Sequence, residues 1–393
     1  MDRNERGLRE YAALIGGSAE EQLAGIRAAS PHMYETMIET GFAGPMARPE
    51  LGRAARELAT VAVIAALGGA DDKLAVHVRA ALRQGIGADE LRALAEHVAL
   101  YAGFPRGLTA LSVIDEVLAE AGVPAPARLH KVRLEDHETV VAQVGESGPA
   151  MLLSHSLGLD WRMWEPVMHR LATGRRVFAY DIRGHGSAAG SPAPFTMDQT
   201  GDDLVGVMDA LGLDQAHVVG LSMGGSIAQT AAVRHRERIA SLALLATSDH
   251  PFTDAFENRA RSGETDGMEA QVAPTLTRWF TPDALAANAW GVRYARERIR
   301  RMLPEDWTAA WRAYKGLDVQ GRLAGFPAPT LVLAGAVDAS TTPEIMSAIA
   351  ERIPGSTYVE LPGTPHQQTL ERPELVADAL DDFLPAAADA DPR

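Results

Sequence analysis

The stretch Gly220-Leu221-Ser222-Met223-Gly224 constrains this chain more than any other. It follows an apolar, strand-like run, Ala216-His217-Val218-Val219, and leads into a helix-like run over residues 226–233. In that setting a G-x-S-x-G pentapeptide predicts a sharp strand-to-helix turn that lifts a serine hydroxyl above a sheet, with small residues on either side to let the backbone pass. The flanking sequence supplies the sheet. Short β-rich runs cover residues 129–134, 139–144, 150–154, 177–180, 217–221, 242–245 and 330–333, and helical stretches, notably 196–211 and 342–353, lie between them. Two opening strands followed by strand–helix alternation predict an α/β sheet that is largely parallel after a hairpin-like start. From residue 252 to about 323 a helical pattern interrupts the alternation, as expected of a cap over the sheet's carboxyl edge.

Upstream the texture differs. To about residue 121 apolar residues recur at three- and four-residue spacing, over 57–67, 73–82, 88–101 and 108–119. The breaks between them are Gly68-Gly69, Gly85-Ile86-Gly87 and Gly103-Phe104-Pro105. At 393 residues two domains are the natural expectation. The predicted fold class is therefore multi-domain: an all-α domain over 1–122, a linker at 123–127, and an α/β domain over 128–384. The tail, 385–393, is rich in Ala, Asp and Pro and is expected to be disordered.

Composition removes several chemistries. With no cysteine, a disulfide framework, a thiol nucleophile and C-x-x-C redox chemistry are all excluded. A net charge of −15 without a basic stripe argues against a nucleic-acid partner. Met1-Asp2-Arg3-Asn4-Glu5-Arg6 lacks the apolar core of a signal peptide, and no run reaches membrane-spanning length. The expectation is a cytoplasmic protein without a membrane partner.

A serine hydroxyl needs a base to take its proton and a third group to orient that base. In a strand–elbow–helix fold the order is Ser, then Asp or Glu, then His. Asp338 follows the run at 330–333, and His366 follows the strand-like run at 357–361, so both sit where loops leave the carboxyl edge. Ser222, Asp338 and His366 are the predicted catalytic set. The oxyanion donors are expected to be the N–H of Met223 and one from Ser154-His155-Ser156-Leu157-Gly158, either Ser156 or Leu157. His155 is expected to shape that loop, His185 to brace a turn, and His217 to be a satisfied core histidine.

These residues resemble a family. Ser156-Leu157-Gly158 with Met163-Trp164, Tyr180-Asp181-Ile182-Arg183-Gly184-His185-Gly186, the elbow itself, and Arg278-Trp279-Phe280-Thr281 in the cap are similar to the 3-oxoadipate enol-lactonases over nearly all of 127–384. The elbow and the arginine turn are common to many α/β-hydrolases, and the cap motif is narrower. The resemblance implies an α/β-hydrolase fold, lactone hydrolysis, and substrate contacts from Arg278 and Trp279. His155 is a departure, standing where that family often has asparagine.

In the helical domain Glu57, His77 and His97 fall on three successive helices. They can serve as general acid and base, as a two-histidine, one-carboxylate metal site, or as ordinary surface residues. Arg56-Glu57-Leu58, His77-Val78-Arg79-Ala80-Ala81-Leu82 and His97-Val98-Ala99-Leu100-Tyr101-Ala102-Gly103 resemble the carboxymuconolactone decarboxylase family over roughly 30–120. That family shares its all-helical fold with the AhpD-like proteins. Without cysteines, the resemblance implies the cofactor-free decarboxylase branch, with His77 foremost, then His97 and Glu57, and no metal. Where the family often has a Trp-containing segment, this chain reads Gly44-Pro45-Met46-Ala47-Arg48-Pro49. Arg53, Arg56 and Arg79 are candidate partners for a substrate carboxylate.

Together the two resemblances imply a bifunctional enzyme of protocatechuate-type catabolism. Its substrate would be a small lactone carboxylate, and its assembly a homo-oligomer (trimer or hexamer) built through the helical domain. Two other readings stay open. One is a biosynthetic tailoring hydrolase or decarboxylase for a different lactone or ester. The other is an esterase whose helical domain only oligomerises.

Overall fold

The computed structural model describes residues 1–250 and 253–384. They fall into two compact units, Met1–Pro126 and the chain from Ala127 onward. The expected start of the cap at residue 252 and the tail at 385–393 lie outside the described residues.

The first unit is helical. Its main helices are α1 (Arg3–Leu14), α2 (Arg53–Leu67), α3 (Asp71–Arg83), α4 (Ala88–Ala102) and α5 (Phe104–Glu120). Apolar positions one turn apart on α2–α5 close one core: Val61 and Ala65 of α2 meet Leu74 and Val78 of α3, Leu91 and Ala95 of α4, and Ile114 and Leu118 of α5, while Tyr11 and Leu14 of α1 belong to a second. The break read at Gly103-Phe104-Pro105 is shorter than expected, since α5 already starts at Phe104. Pro105 falls in the first turn, where its missing N–H has no helical acceptor to lose.

The second unit is built on eight strands: β1 (Arg128–Arg133), β2 (Glu138–Val144), β3 (Ala150–Ser154), β4 (Arg176–Tyr180), β5 (Ala216–Leu221), β6 (Ile239–Leu245), β7 (Thr330–Gly335) and β8 (Thr357–Leu361). Their order is β1-β2-β4-β3-β5-β6-β7-β8, with β1–β2 and β2–β4 antiparallel and every later pair parallel. β3 is buried at all five positions, and its run of Ala, Met, Leu, Leu and Ser reflects a strand covered on both faces. Helix α7 (Met223–Arg234) packs on the central strands β5 and β6, and α6 (Met197–Ala210) packs against α7. Between β6 and β7 the chain leaves the sheet for α8 (Asp254–Trp279), α9 (Trp290–Arg301) and α10 (Pro304–Ala313), the helical cap. The parallel register carries the carboxyl ends of β3, β5, β7 and β8 to one edge. That edge holds the candidate site.

Candidate active site

β5 ends at Leu221 and α7 begins at Met223, which leaves Ser222 alone at the turn with φ 56° and ψ −117°. A non-glycine residue in this conformation costs about 1–3 kcal/mol and persists only where its surroundings hold it. Here the Ser222 N–H donates to the Leu245 carbonyl at 2.9 Å, and Thr247 Oγ1 donates to the Ser222 carbonyl at 2.6 Å. The glycines either side answer to space. A Cβ on Gly220 would stand 2.2 Å from the Gly224 carbonyl oxygen, and one on Gly224 would stand 2.0 Å from that of Ser154.

His366 Nε2 lies 3.1 Å from Ser222 Oγ, and its Nδ1 lies 2.9 Å from Asp338 Oδ2. Asp338 also accepts from the N–H groups of Ser340 (2.7 Å) and Thr341 (3.0 Å) and from Thr341 Oγ1 (2.8 Å). Burial opposes its charge. The imidazole and these donors outweigh burial and hold the carboxyl below the ordinary carboxylate range. An ionised Asp338 fixes the proton of His366 on Nδ1 and leaves Nε2 free to accept from the serine.

The two oxyanion alternatives differ in what their N–H groups already do. Ser156 N–H donates to Met163 Sδ at 3.1 Å. Among the described residues nothing accepts from Leu157 N–H, and Met223 N–H belongs to the first turn of α7, where no helical carbonyl reaches it. His155 braces the same loop, its ring bridging the Ser156 carbonyl (2.8 Å) and Ile182 N–H (2.9 Å). His185 bonds the Arg183 carbonyl at 3.0 Å, and His217 bonds Ser241 Oγ at 2.9 Å.

Two residues enter the site that the sequence did not single out. Gln367 is fully buried beside His366 and donates from Nε2 to Ser156 Oγ at 3.0 Å. Asp160 is fully buried and accepts from Tyr294 Oη at 2.7 Å, with Arg298 Nε at 2.9 Å. Tyr294 and Arg298 lie on α9, so Asp160 ties the cap to the loop after β3. Adjacency to His366 was the one available signal for Gln367, and Asp160 carried none. From the cap, the Trp279 ring stacks 6.3 Å from that of His366, and half-buried Arg278 donates to Thr275 Oγ1 at 3.2 Å.

In the helical unit Glu57 shares the inward face of α2 with Val61 and Ala65 and is 0% exposed. Its Oε2 lies 2.9 Å from His77 Nδ1 on α3, and its Oε1 has no partner among the described residues. His97 does not join them. It is exposed on α4, its ring 4.7 Å from that of Tyr101. Among the described residues no group of three His, Asp or Glu is placed to hold a metal ion. Arg53 is paired with Glu10 (3.0 Å) and Arg79 with Glu120 (2.6 Å), while Arg56 donates to the carbonyls of Arg48 and Leu51.

Residues 149–373 match the family model of the α/β hydrolase fold, more than half of the chain. The chain belongs to the α/β-hydrolase family. Within the helical unit of this α/β hydrolase, residues 31–116 match the carboxymuconolactone decarboxylase family. The 3-oxoadipate enol-lactonase 1 of Acinetobacter baylyi is 28% identical over 263 residues, covering 66% of this chain and 98% of the relative. A putative carbamate hydrolase RutD of a Caulobacter species is 31% identical, covering 61% and 94%. The crystal structure of the enol-lactonase from Burkholderia xenovorans LB400 superposes with a TM-score of 0.63 at 32% identity, covering 65% of this chain and 99% of that one. The chain thus joins a carboxymuconolactone decarboxylase-family domain to an enol-lactonase-like α/β hydrolase. Among the described residues no helix is long and apolar enough to cross a membrane.

Proposed function

We propose that this protein decarboxylates 4-carboxymuconolactone in its helical unit and hydrolyses the resulting enol-lactone to 3-oxoadipate in its α/β unit. The observation that carries this reading is the presence in one chain of two separate acid–base arrangements, Ser222–His366–Asp338 and His77–Glu57, on domains similar to families whose reactions run in sequence. In the first step the γ-carboxylate leaves as CO₂. Its bonding electrons pass through the ring double bond to the lactone carbonyl, and a proton returns to the α-carbon. His77, oriented by Glu57, polarises that carbonyl and supplies the proton. No cofactor is needed, because the substrate itself holds the electrons.

In the second step His366 takes the Ser222 proton as Oγ attacks the lactone carbonyl. Met223 and Leu157 N–H groups receive the oxyanion, with Gln367 holding Ser156 beneath them. The ring oxygen leaves as an enol, taking the proton from His366, and tautomerises to the ketone. Water then releases the acyl group from Ser222 by the same path. Val63, Leu67, Leu100, Tyr101, Phe104 and Leu108 stand exposed on the helical unit, which supports its role in assembling a homo-oligomer.

The test incubates the protein with 4-carboxymuconolactone and follows CO₂ and 3-oxoadipate together. Ser222→Ala should accumulate enol-lactone with CO₂ release intact, and His77→Ala should stop CO₂ release. Wild-type protein that leaves this lactone untouched while cleaving simple esters through Ser222 overturns the catabolic reading. Loss of neither activity in His77→Ala would leave the helical unit a role in assembly only.

A further inference from the structure

We propose that Arg259 and Arg278, with the indole N–H of Trp311, form a carboxylate-binding subsite in the cap, which makes the hydrolase selective for lactones and esters that carry an anionic group on the acyl side. The proposal rests on Ser222 as the nucleophile. Arg278 was expected to touch substrate; Arg259 and Trp311 were not, and they change what the site recognises.

Both arginines lie on α8, nineteen positions apart, where a straight helix would separate them by roughly 28 Å. The helix is not straight. Gly267 carries φ 74° and ψ 177°, which no α-helical residue adopts, and the two halves of α8 break there. The Arg259 guanidinium consequently lies close enough for its charge to act on Arg278. Burial, reinforced by that like charge, lowers Arg278 to about 10, and burial lowers Arg259 as well.

Two half-buried like charges held near one another call for an anion, and the described residues offer none. Arg259 lies over the rings of Trp311 (4.8 Å) and Phe256 (5.8 Å), and among the described residues neither it nor Arg278 has a carboxylate partner. Arg298 and Arg312, also half-buried in the cap, do: Arg298 faces Asp160 at 2.9 Å, and Arg312 faces Glu257 at 2.8 Å and Glu264 at 2.7 Å. Beside Arg259, Trp311 Nε1 is a buried donor with no acceptor among the described residues. A desolvated guanidinium without a counter-ion and a buried N–H without an acceptor are both costly, and a carboxylate ligand relieves both through charge-assisted hydrogen bonds.

The place fits an acyl-chain terminus. Arg278 immediately precedes Trp279, whose ring stacks over that of His366. Arg259 and Ser226 both neighbour Tyr314, and Ser226 lies one turn along α7 from Ser222. The rings beside Arg259 are aromatic and packed together: Trp311 meets Phe256 at 5.3 Å and Tyr314 at 6.1 Å between ring centroids. A short apolar chain ending in a carboxylate matches aromatic walls closed by two guanidiniums.

The experiment compares p-nitrophenyl hemiglutarate, an anion, with neutral p-nitrophenyl pentanoate on the full-length protein. The ratio of their kcat/KM values should fall about thirtyfold in Arg259→Met and in Arg278→Met, the loss of one charge-assisted contact in each. Arg278→Lys should recover part of the ratio, since it keeps the charge and loses the planar fork. A ratio that stays at the wild-type value in either Met variant overturns the paired subsite. If a Met variant does not fold, the Lys variant at that position reads the same ratio.

Glutarate binding to Ser222→Ala, followed by calorimetry, provides the arm without turnover. It should weaken with salt and with each arginine substitution, and glutarate binding no tighter than neutral glutaramide overturns the proposal. Neither probe is the enol-lactone, so the two readings fail separately. An untouched 4-carboxymuconolactone with charge selectivity intact refutes the catabolic assignment alone. Turnover of that lactone with unaltered selectivity in the arginine variants refutes the subsite alone.

Discussion

Acidification should loosen the α/β unit through two imidazoles that its fold keeps neutral. His155 Nε2 accepts from Ile182 N–H at 2.9 Å, so the ring proton sits on Nδ1 and is donated to the Ser156 carbonyl at 2.8 Å. His185 donates from Nδ1 to the Arg183 carbonyl, which leaves its Nε2 buried without a partner among the described residues. A second proton on His155 would break the bond from Ile182, and one on His185 would put charge on a nitrogen with no acceptor. The rings face each other edge to face at 5.2 Å, so the first charge opposes the second. Burial, the largest cause in both, lowers His155 from 6.5 to about 4 and His185 from 6.5 to about 3.

The folded values lie below the unfolded one, so between them the unfolded chain binds more protons. The stability in question is fully present above pH 6.5 and is lost as pH falls from 6.5 toward about 4 for His155 and about 3 for His185. At pH 5 each histidine withdraws about 2 kcal/mol relative to pH 8, about 4 kcal/mol for the pair. All six tryptophans (161, 164, 279, 290, 307 and 311) lie in the second unit, so their fluorescence in urea reports that unit alone. The wild-type midpoint should drop between pH 8 and pH 5. The His155→Gln, His185→Gln double variant should lose most of that slope, whatever its stability at pH 8. His169 and His217 are also held low by burial and add a smaller contribution of the same sign. A flat wild-type profile from pH 8 to 5, or an unchanged slope in the double variant, refutes the reasoning.

The remaining predictions concern chemistry and the cap. Asp338→Asn should lower kcat for ester hydrolysis about 10⁴-fold with little change in the urea midpoint, because the amide holds the wrong tautomer of His366. Gln367→Leu removes the bond to Ser156 and should lower kcat about tenfold while KM changes less, as expected of a group that acts on the oxyanion loop rather than on substrate; equal loss in both parameters would count against it. Asp160→Ala leaves Arg298 without its carboxylate and should cost about 3–5 kcal/mol in urea unfolding followed by tryptophan fluorescence. Glu57→Gln should slow CO₂ release from 4-carboxymuconolactone while enol-lactone supplied directly is hydrolysed at the wild-type rate.

How far the site could be read from the sequence follows from where each interaction is decided. The turn at Ser222 is local: a strand, a pentapeptide and a helix specify it, and the same residues create the close approaches at Gly220 and Gly224. Asp338 and His366 lie 116 and 144 positions from Ser222, yet they were legible because a parallel sheet delivers every loop after a strand to one edge. Which N–H on the β3 loop is free was not legible. That depends on Met163 turning its sulfur onto Ser156, a contact seven residues away that no spacing rule describes. The same limit separates His77 from His97. Helical periodicity tells which face each residue occupies, but the rotation of one helix against the next decides that α3 turns His77 onto Glu57 while α4 leaves His97 in solvent.

Arg259 is the sharper case. On sequence it is one of ten cap arginines, five of which end beside a glutamate or aspartate. Its meaning rests on a comparison that only three dimensions permit, a half-buried guanidinium beside a buried indole N–H, with no carboxylate or acceptor among the described residues to answer them. Local rules therefore reach the candidate nucleophile and its proposed relay, which any member of the fold can share. The groups that would choose a substrate are legible only as unmet electrostatic demand.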